Sequence, residues 1–139
     1  MAHPNEDMIR LAMAATCHAN LTRVEQFDDN IVLHYPGHSP LAGDYVGQAQ
    51  VLGWMRRGNE LTNGQRRITI STVLADDEHG VVLYYIGVTR GGRTVYDPAI
   101  AVLRIKDHKI AEVWATPTDL YASDELWSRD HHHRHAQTG

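Results

Sequence analysis

The chain has 139 residues, of which 42% are hydrophobic and 22% charged, and a formal net charge of −4. That length supports one soluble domain able to bury roughly two-thirds of its unfolded surface. The acidic balance argues against a nucleic-acid partner, since Arg56-Arg57 and Arg66-Arg67 are isolated pairs and not a basic stripe.

The single cysteine, Cys17, excludes an internal disulfide and a cysteine-based zinc cage. No apolar run approaches membrane-spanning length, and the polar start from Met1 to Asp7 lacks the character of a secretory signal. A cytoplasmic protein with no membrane partner is expected.

In chain order, Asn5 to about Asn20 carries Met8, Leu11, Ala12 and Ala15 at helical spacing. Glu6 and Asp7 fall in its first turn and Asn5 is a candidate N-cap. Cys17 reads as a small packing residue of that helix. A shorter helical piece is expected around Thr22 to Phe27, and Asp28-Asp29-Asn30 reads as a turn. Ile31 to Tyr35 is a short strand. Pro36-Gly37 breaks it, and the chain is expected to stay irregular to Gly47. A second helix runs from Gln48 to about Leu61, with Val51, Leu52 and Met55 on one side and Asn63-Gly64 as its stop.

The hydrophobic period then changes to two. Arg67 to Ala75 alternates, with Ile68, Ile70 and Thr72 facing one way. Asp76 to Gly80 is a hairpin turn, Val81 to Arg90 a strand rich in Val, Tyr and Ile, and Gly91-Gly92 a second hairpin signal. Arg93 to Ile105 is the next strand, in which Pro98 predicts an edge or a bulge. Lys106 to Lys109 turns into a last strand, Ile110 to Ala115, and Thr118 to Trp127 closes with a short helix. Strands joined by such short turns pair antiparallel, and the early helices cover one face of their sheet, which makes an α+β domain. Residues 1–128 are read as a single domain. The His-rich stretch 129–139 is read as a disordered tail.

The segment H-Y-P-G-H-S-P-L-A-G-D-Y-V-G, from His34 to Gly47, places two histidines, two tyrosines and Asp44 in a turn-rich stretch. With G-G-R-T-V at Gly91 to Val95, V-L-R-I-K-D-H-K-I-A-E-V-W at Val102 to Trp114, and Asp119 beyond, the chain from about Asn5 to Trp127 resembles the SnoaL-like branch of the nuclear transport factor 2-like superfamily. That group includes ketosteroid isomerase, polyketide cyclases and limonene epoxide hydrolase. The resemblance implies a curved, mostly antiparallel sheet wrapped into a cone, the cystatin-like roll, with N-terminal helices enclosing a pocket. It also implies a homodimer through the outer face of the sheet. Activity does not follow from the fold, because this superfamily hosts enzymes, ligand binders and interaction modules.

Laying the isomerase's D-P-V-G-S-E-P-R-S-G over His34 to Gly43 puts His34 at the base position. The position of its acidic oxyanion donor is Ala101, and its tyrosine partner falls among Met13, Ala14 and Ala15. The hydrolase's Arg, Asp and second Asp correspond to Ala99, Ala101 and Thr116. Both of those named reactions therefore lack their partners in this chain. The acid/base carboxylate of the SnoaL-type cyclases corresponds to Asp119.

The candidate residues each have a functional and a structural reading. His34 is expected to look into the pocket and move a proton, or else to be a strand histidine bonded to backbone. Asp119 is an acid/base partner or a helix cap. Asp97, held extended by Pro98, is either a pocket carboxylate with a raised pKa or an edge charge facing water. Tyr35, His38, Tyr45, Trp54, Tyr85, Ala101 and Trp114 are candidates for substrate contact. Tyr121 and Trp127 are further aromatics that could line a cavity, and Asp44 is expected to fix the turn. His18, His79 and His108 read as solvated or turn residues. No pair of His and carboxylate has metal spacing, so no metal is expected.

Two functions fit. One is an acid/base enzyme of isomerase, cyclase or dehydratase type that needs no cofactor and acts on a small apolar ketone or polyketide-like molecule. The other is a non-catalytic ligand-binding or dimerisation module of the same fold.

Overall fold

The computed structural model describes residues 3–16 and 24–128. These form α1 (Pro4–Ala15), β1 (Phe27–Tyr35), β2 (Gly43–Val46), α2 (Gly47–Leu61), β3 (Arg66–Ala75), β4 (His79–Arg90), β5 (Arg93–Lys106) and β6 (Lys109–Pro117). A closing helix, α3, spans residues 120–128. The six strands make one curved, unclosed sheet in the order β2-β1-β6-β5-β4-β3. All neighbours are antiparallel except β1 and β6, which run parallel across the long connection between them.

Strand alternation decides what each face carries. Ile31, Leu33 and Tyr35 of β1, Val82, Tyr84 and Ile86 of β4, Ala99, Ala101 and Leu103 of β5, and Val113 and Ala115 of β6 are buried. α1 packs over β3 and β4, and α2 over β1 and β2. Ile9, Ala12, Val51, Leu52 and Met55 supply the helical half of the core. Each large aliphatic side chain so buried contributes about 1.5–3 kcal/mol.

Several local expectations change. The cap of α1 is His3, not Asn5: the His3 ring accepts from the Asn5 N–H, and Glu6 accepts from the His3 N–H at 2.7 Å. Pro4 suits the first helical position, where its missing N–H is not needed. Asn5 is buried and its amide donates to the Asp76 carbonyl. The stretch from Cys17 to Arg23, with Cys17, His18 and the expected helical residues up to Asn20, lies outside the described residues, as does 129–139.

Phe27 is extended, not helical, and Asp28-Asp29-Asn30 lies inside β1. Its turn chemistry survives as an Asn30 N–H to Asp28 carboxylate bond of 2.8 Å, at a shift in the β1–β6 register. The stretch Pro36 to Gly47 is not irregular throughout, because Gly43–Val46 returns beside β1 as a short edge strand. Gly47, at φ 84, turns the chain into α2. A bulge between Ile70 and Thr72 breaks the alternation of β3, so that Val73 and not Thr72 continues the buried set. β5 is an internal strand. Its last pair with β6 is Ala99 with Pro117, so Pro98 falls just past that neighbour, where its missing N–H costs no ladder bond.

Gly58, on the buried side of α2, lies against the Arg66 guanidinium. That group donates to the carbonyls of Thr16 and Met55, each at 3.2 Å. A methyl at Gly58 would collide with Nη1. Gly58→Ala should therefore lower stability by about 1–3 kcal/mol, against a helix propensity that favours alanine by about 1 kcal/mol. Urea unfolding measures the sign, and a more stable variant would contradict this packing.

Candidate functional site

The inner face of the sheet and the first two helices enclose a hollow of about 60 Å³. Met13, Trp54, Arg66, Tyr84, Ala101 and Leu103 are among its walls, two of them, Trp54 and Ala101, being candidates for substrate contact. The Trp54 indole donates to the Leu41 carbonyl at 3.0 Å, and the Tyr45 hydroxyl donates to the same carbonyl at 2.9 Å. The Trp54 ring rests against Tyr35 and Tyr45, with centroids 5.5 and 6.2 Å away. The Pro/Gly-rich rim is thereby tied to the wall. Tyr84 is buried in the wall of the hollow.

Asp97 takes the pocket-side reading. It faces inward with 5% exposure, and among the described residues it is the one buried carboxylate. Ser123 of α3 donates its hydroxyl to Asp97 Oδ2 at 2.7 Å, and the Tyr35 hydroxyl lies 3.5 Å from Ser123 Oγ. The fully buried Trp127 indole N–H sits beside Asp97 and Tyr35 without closing a well-formed bond to either. Burial pushes the Asp97 carboxyl above its ordinary value, while the Ser123 hydroxyl and the Trp127 N–H partly hold it down. Burial likewise raises the phenols of Tyr35 and Tyr84. Across the β4–β5 ladder Asp97 pairs with Ile86, and Ala99 with Tyr84. Ile86 and Tyr84 both line the hollow, so Asp97 stands one strand pair from it.

Asp119 takes the capping reading. It is exposed, and its Oδ1 accepts the Ala122 N–H at 3.0 Å at the start of α3. Asp124 holds the same helix to the rim by accepting the backbone N–H groups of His38 and Ser39 at 3.1 and 3.2 Å. The His38 ring itself is exposed.

His34 does not look into the hollow. Alternation along β1 sends Leu33 and Tyr35 inward and His34 to the opposite face. There its ring stacks on Trp114 at 5.5 Å with 19° between planes. Nδ1–H donates to Asp44 Oδ1 at 2.7 Å and Nε2–H to Glu112 Oε2 at 2.6 Å. Ionised carboxylates only accept, so a ring bonded at both nitrogens carries both protons. Its pKa is raised, first by the bond to Glu112 and then by that to Asp44. The Glu112 carboxyl is lowered, first by His34. Asp44 thus ties down His34 rather than backbone amides. His34, Pro36, Asp44, Trp114 and Thr116 bound a shallow depression of about 320 Å³.

Tyr85 and Trp114 share this outer face at 43% and 42% exposure, and Tyr121 is 84% exposed, so none of the three lines the hollow. His79, the first residue of β4, and His108, in the β5–β6 turn, are both exposed. A larger depression of about 580 Å³ lies between the α2–β3 turn and the β4–β5 hairpin, and no carboxylate is among the described residues lining it. Among the described residues no group of three or more His, Cys, Asp or Glu side chains is placed to hold a metal.

The SnoaL-like domain family matches residues 12–113, and the chain belongs to it. Among solved structures it is similar to Bal32a from a soil-derived mobile gene cassette, with 29% identity, a TM-score of 0.80 and coverage of 88% of this chain and 95% of that one. A Xanthomonas campestris protein of unknown function with a cystatin-like fold is 24% identical at a TM-score of 0.75, covering 91% and 98%. A putative SnoaL-like polyketide cyclase from Jannaschia sp. CCS1 is 14% identical at 0.73, covering 92% and 96%, a likeness of fold alone. No curated protein matches the chain.

Sequence reasoning missed Ser123, Tyr84, Glu112 and Asp124. Glu112 was within reach, because it stands two residues before Trp114 and so shares its face. The other three depend on where α3 and β4 pack.

His34 yields a titration test. Its raised pKa adds stability that is fully present below the ordinary 6.5 and is lost as pH rises through the folded value. The lowered Glu112 adds stability present above 4.5 and lost as pH falls through its folded value. The cluster should stabilise most between those two pH values. In histidine NMR titrations the His34 midpoint should lie above 6.5, and Glu112→Gln should lower it more than Asp44→Asn. A midpoint unmoved by either change would contradict the pairing.

Proposed function

We propose that the protein binds a small, largely apolar organic molecule in its hollow and moves a proton on it without a cofactor. The reaction is of isomerase, cyclase or dehydratase type on a ketone or polyketide-like substrate, in the cytoplasm. The observation that carries this reading is Asp97, a carboxyl group withdrawn from water on the inner face and one strand pair from an apolar hollow. A raised carboxyl pKa brings proton exchange closer to neutral pH, as a general base requires. Asp97 replaces His34 in that role, because His34 faces away and is held by two carboxylates.

On an enolisable ketone, ionised Asp97 takes a proton from the carbon beside the carbonyl. The electrons of that C–H bond form the C=C of an enolate, and the charge passes to oxygen. Tyr84, in the hollow's wall, can donate its O–H to that oxygen. Asp97 then returns the proton either to a different carbon, giving an isomer, or to a departing β-hydroxyl, giving an alkene and water. Side chains such as Trp54 and Met13 must move to admit a whole substrate. The hollow's volume of about 60 Å³, well below the ~300 Å³ of ordinary ligand pockets, favours the second reading, a non-catalytic module. We further propose a homodimer through the outer face, where Trp114, Val102, Leu83, Tyr85 and Tyr96 are each 40% exposed or more.

Deuterium exchange at the α-carbons of a panel of enolisable ketones, followed by proton NMR in D₂O, tests the assignment. Asp97→Asn should slow exchange by about 10²–10⁴-fold, and His34→Gln should leave it near wild type. Equal exchange by Asp97→Asn would remove Asp97 from the chemistry. No exchange by wild type, with ketones still causing a tryptophan fluorescence shift that Trp54→Phe abolishes, would favour the binding module.

A further inference from the structure

Strand alternation continues along the inner face, past Asp97, to the end of the sheet. There Val88 pairs with Val95 across the β4–β5 ladder, and Arg90 with Arg93 at the Gly91-Gly92 turn. These residues form one side of the depression of about 580 Å³, and the α2–β3 turn forms the other. Leu126 of α3 completes it. The depression shares no lining residue with the hollow. Its volume lies within the roughly 300–1,000 Å³ of ordinary ligand pockets, a range the hollow does not reach.

The walls are tied to one another. The Thr89 N–H donates to the Gln65 carbonyl at 3.0 Å, joining β4 to the α2–β3 turn. Arg90 Nη1 donates to the Leu126 carbonyl at 3.0 Å, joining β4 to α3. A ligand therefore meets a shape that is already ordered, which lowers the cost of binding. The floor is apolar: Val88 and Leu126 are 1% and 8% exposed, and Val95 packs against the core. The formal charge around it is of one sign, since the two arginines line the depression and no carboxylate is among the described residues that do. Arg93 is exposed, and it takes part in none of the ion pairs among the described residues. A guanidinium is a planar fork that matches a carboxylate. α2 ends at this turn and points the negative end of its dipole toward the site. That field disfavours a second negative charge, so a singly charged carboxylate suits the depression better than a phosphate dianion.

We propose that this depression is a binding site for a small organic acid with an apolar chain. The carboxylate pairs with the Arg93 guanidinium, and the chain covers Val88, Val95 and Leu126. Arg90 adds positive charge beside the carboxylate while its Nη1 stays on the Leu126 carbonyl. A metal cation finds no anionic ligand among the described lining residues. An inorganic anion leaves the apolar floor uncovered, and a neutral molecule leaves the Arg93 charge unmatched. The site stands apart from the hollow and does not depend on Asp97 acting as a base.

Isothermal titration of the full chain with butanoate, hexanoate and octanoate, near neutral pH and at fixed ionic strength, tests this. Amide NMR maps where each acid lands and confirms that every variant is folded. The best of the three acids should shift the amides of Thr62 to Gln65 and of Val88 to Val95. Its neutral carboxamide keeps the chain and loses the charge, and inorganic phosphate keeps a charge and loses the chain. Each should bind more weakly by about tenfold or more. Arg93→Gln should weaken the acid by about tenfold or more, and Arg93→Lys by less. Gln65→Glu, a change at an exposed rim position, should weaken the acid and leave the carboxamide unaffected. No binding of any acid by folded wild type overturns the site. So do acid binding that Arg93→Gln leaves unchanged, a carboxamide as tight as its acid, and shifts confined to the hollow around Met13 and Trp54. Phosphate as tight as the best acid overturns the organic acid as its ligand.

Discussion

Successive residues of a strand point to opposite faces, and on β1 that period separates Tyr35 from His34 by the thickness of the sheet. Tyr35 joins Ser123, Asp97 and Trp127 in the interior. His34 joins Asp44, Glu112 and Trp114 outside. The parallel pairing with β6 enforces this division, because His34 opposite Trp114 puts Glu112 and Trp114 on the outer face and Val113 and Ala115 on the inner one. The two groups of titrating residues therefore cannot serve one chemistry. The inner group can meet a small molecule, and the outer group can meet a surface.

The inner group depends on elements far apart in the chain. Asp97 comes from the middle of β5, and its hydrogen-bond donor Ser123 comes from α3. That helix is anchored by Asp119 at its own start and by Asp124 on the rim amides of His38 and Ser39. Asp119, a candidate acid/base partner, and the backbone of His38, a candidate for substrate contact, help to hold the cover over Asp97. Keeping a carboxyl group out of water opposes folding once it ionises, and the bond from Ser123 offsets part of that cost. A group kept at such a cost beside an apolar hollow is a reasonable place to look for chemistry.

The meander was legible because its signals are local. Asp76 to Gly80 and Gly91-Gly92 mark the hairpins, alternation marks β4 and β5, and Asn63-Gly64 stops α2. The inward face of β1 was not legible: Ile31, Val32 and Leu33 are apolar at both parities, so the period-two pattern gives no preference until packing decides. β2 was hidden by its length, four residues with two glycine-bounded ends and no alternating apolar set. The β1–β6 pairing and the placing of α3 are long-range events with no short-range signal. Asp97 was readable as a fork, pocket or water, because Pro98 fixed an extended backbone without fixing the side.

Carbon-detected NMR of the Asp97 carboxyl, followed across pH in the folded protein, tests the central assignment most directly. A midpoint above the ordinary 3.8, raised further when Ser123→Ala removes the donor that holds it down, is the expected result. A midpoint at or below 3.8 would mean an ordinary solvated carboxylate and would contradict an interior acid/base site.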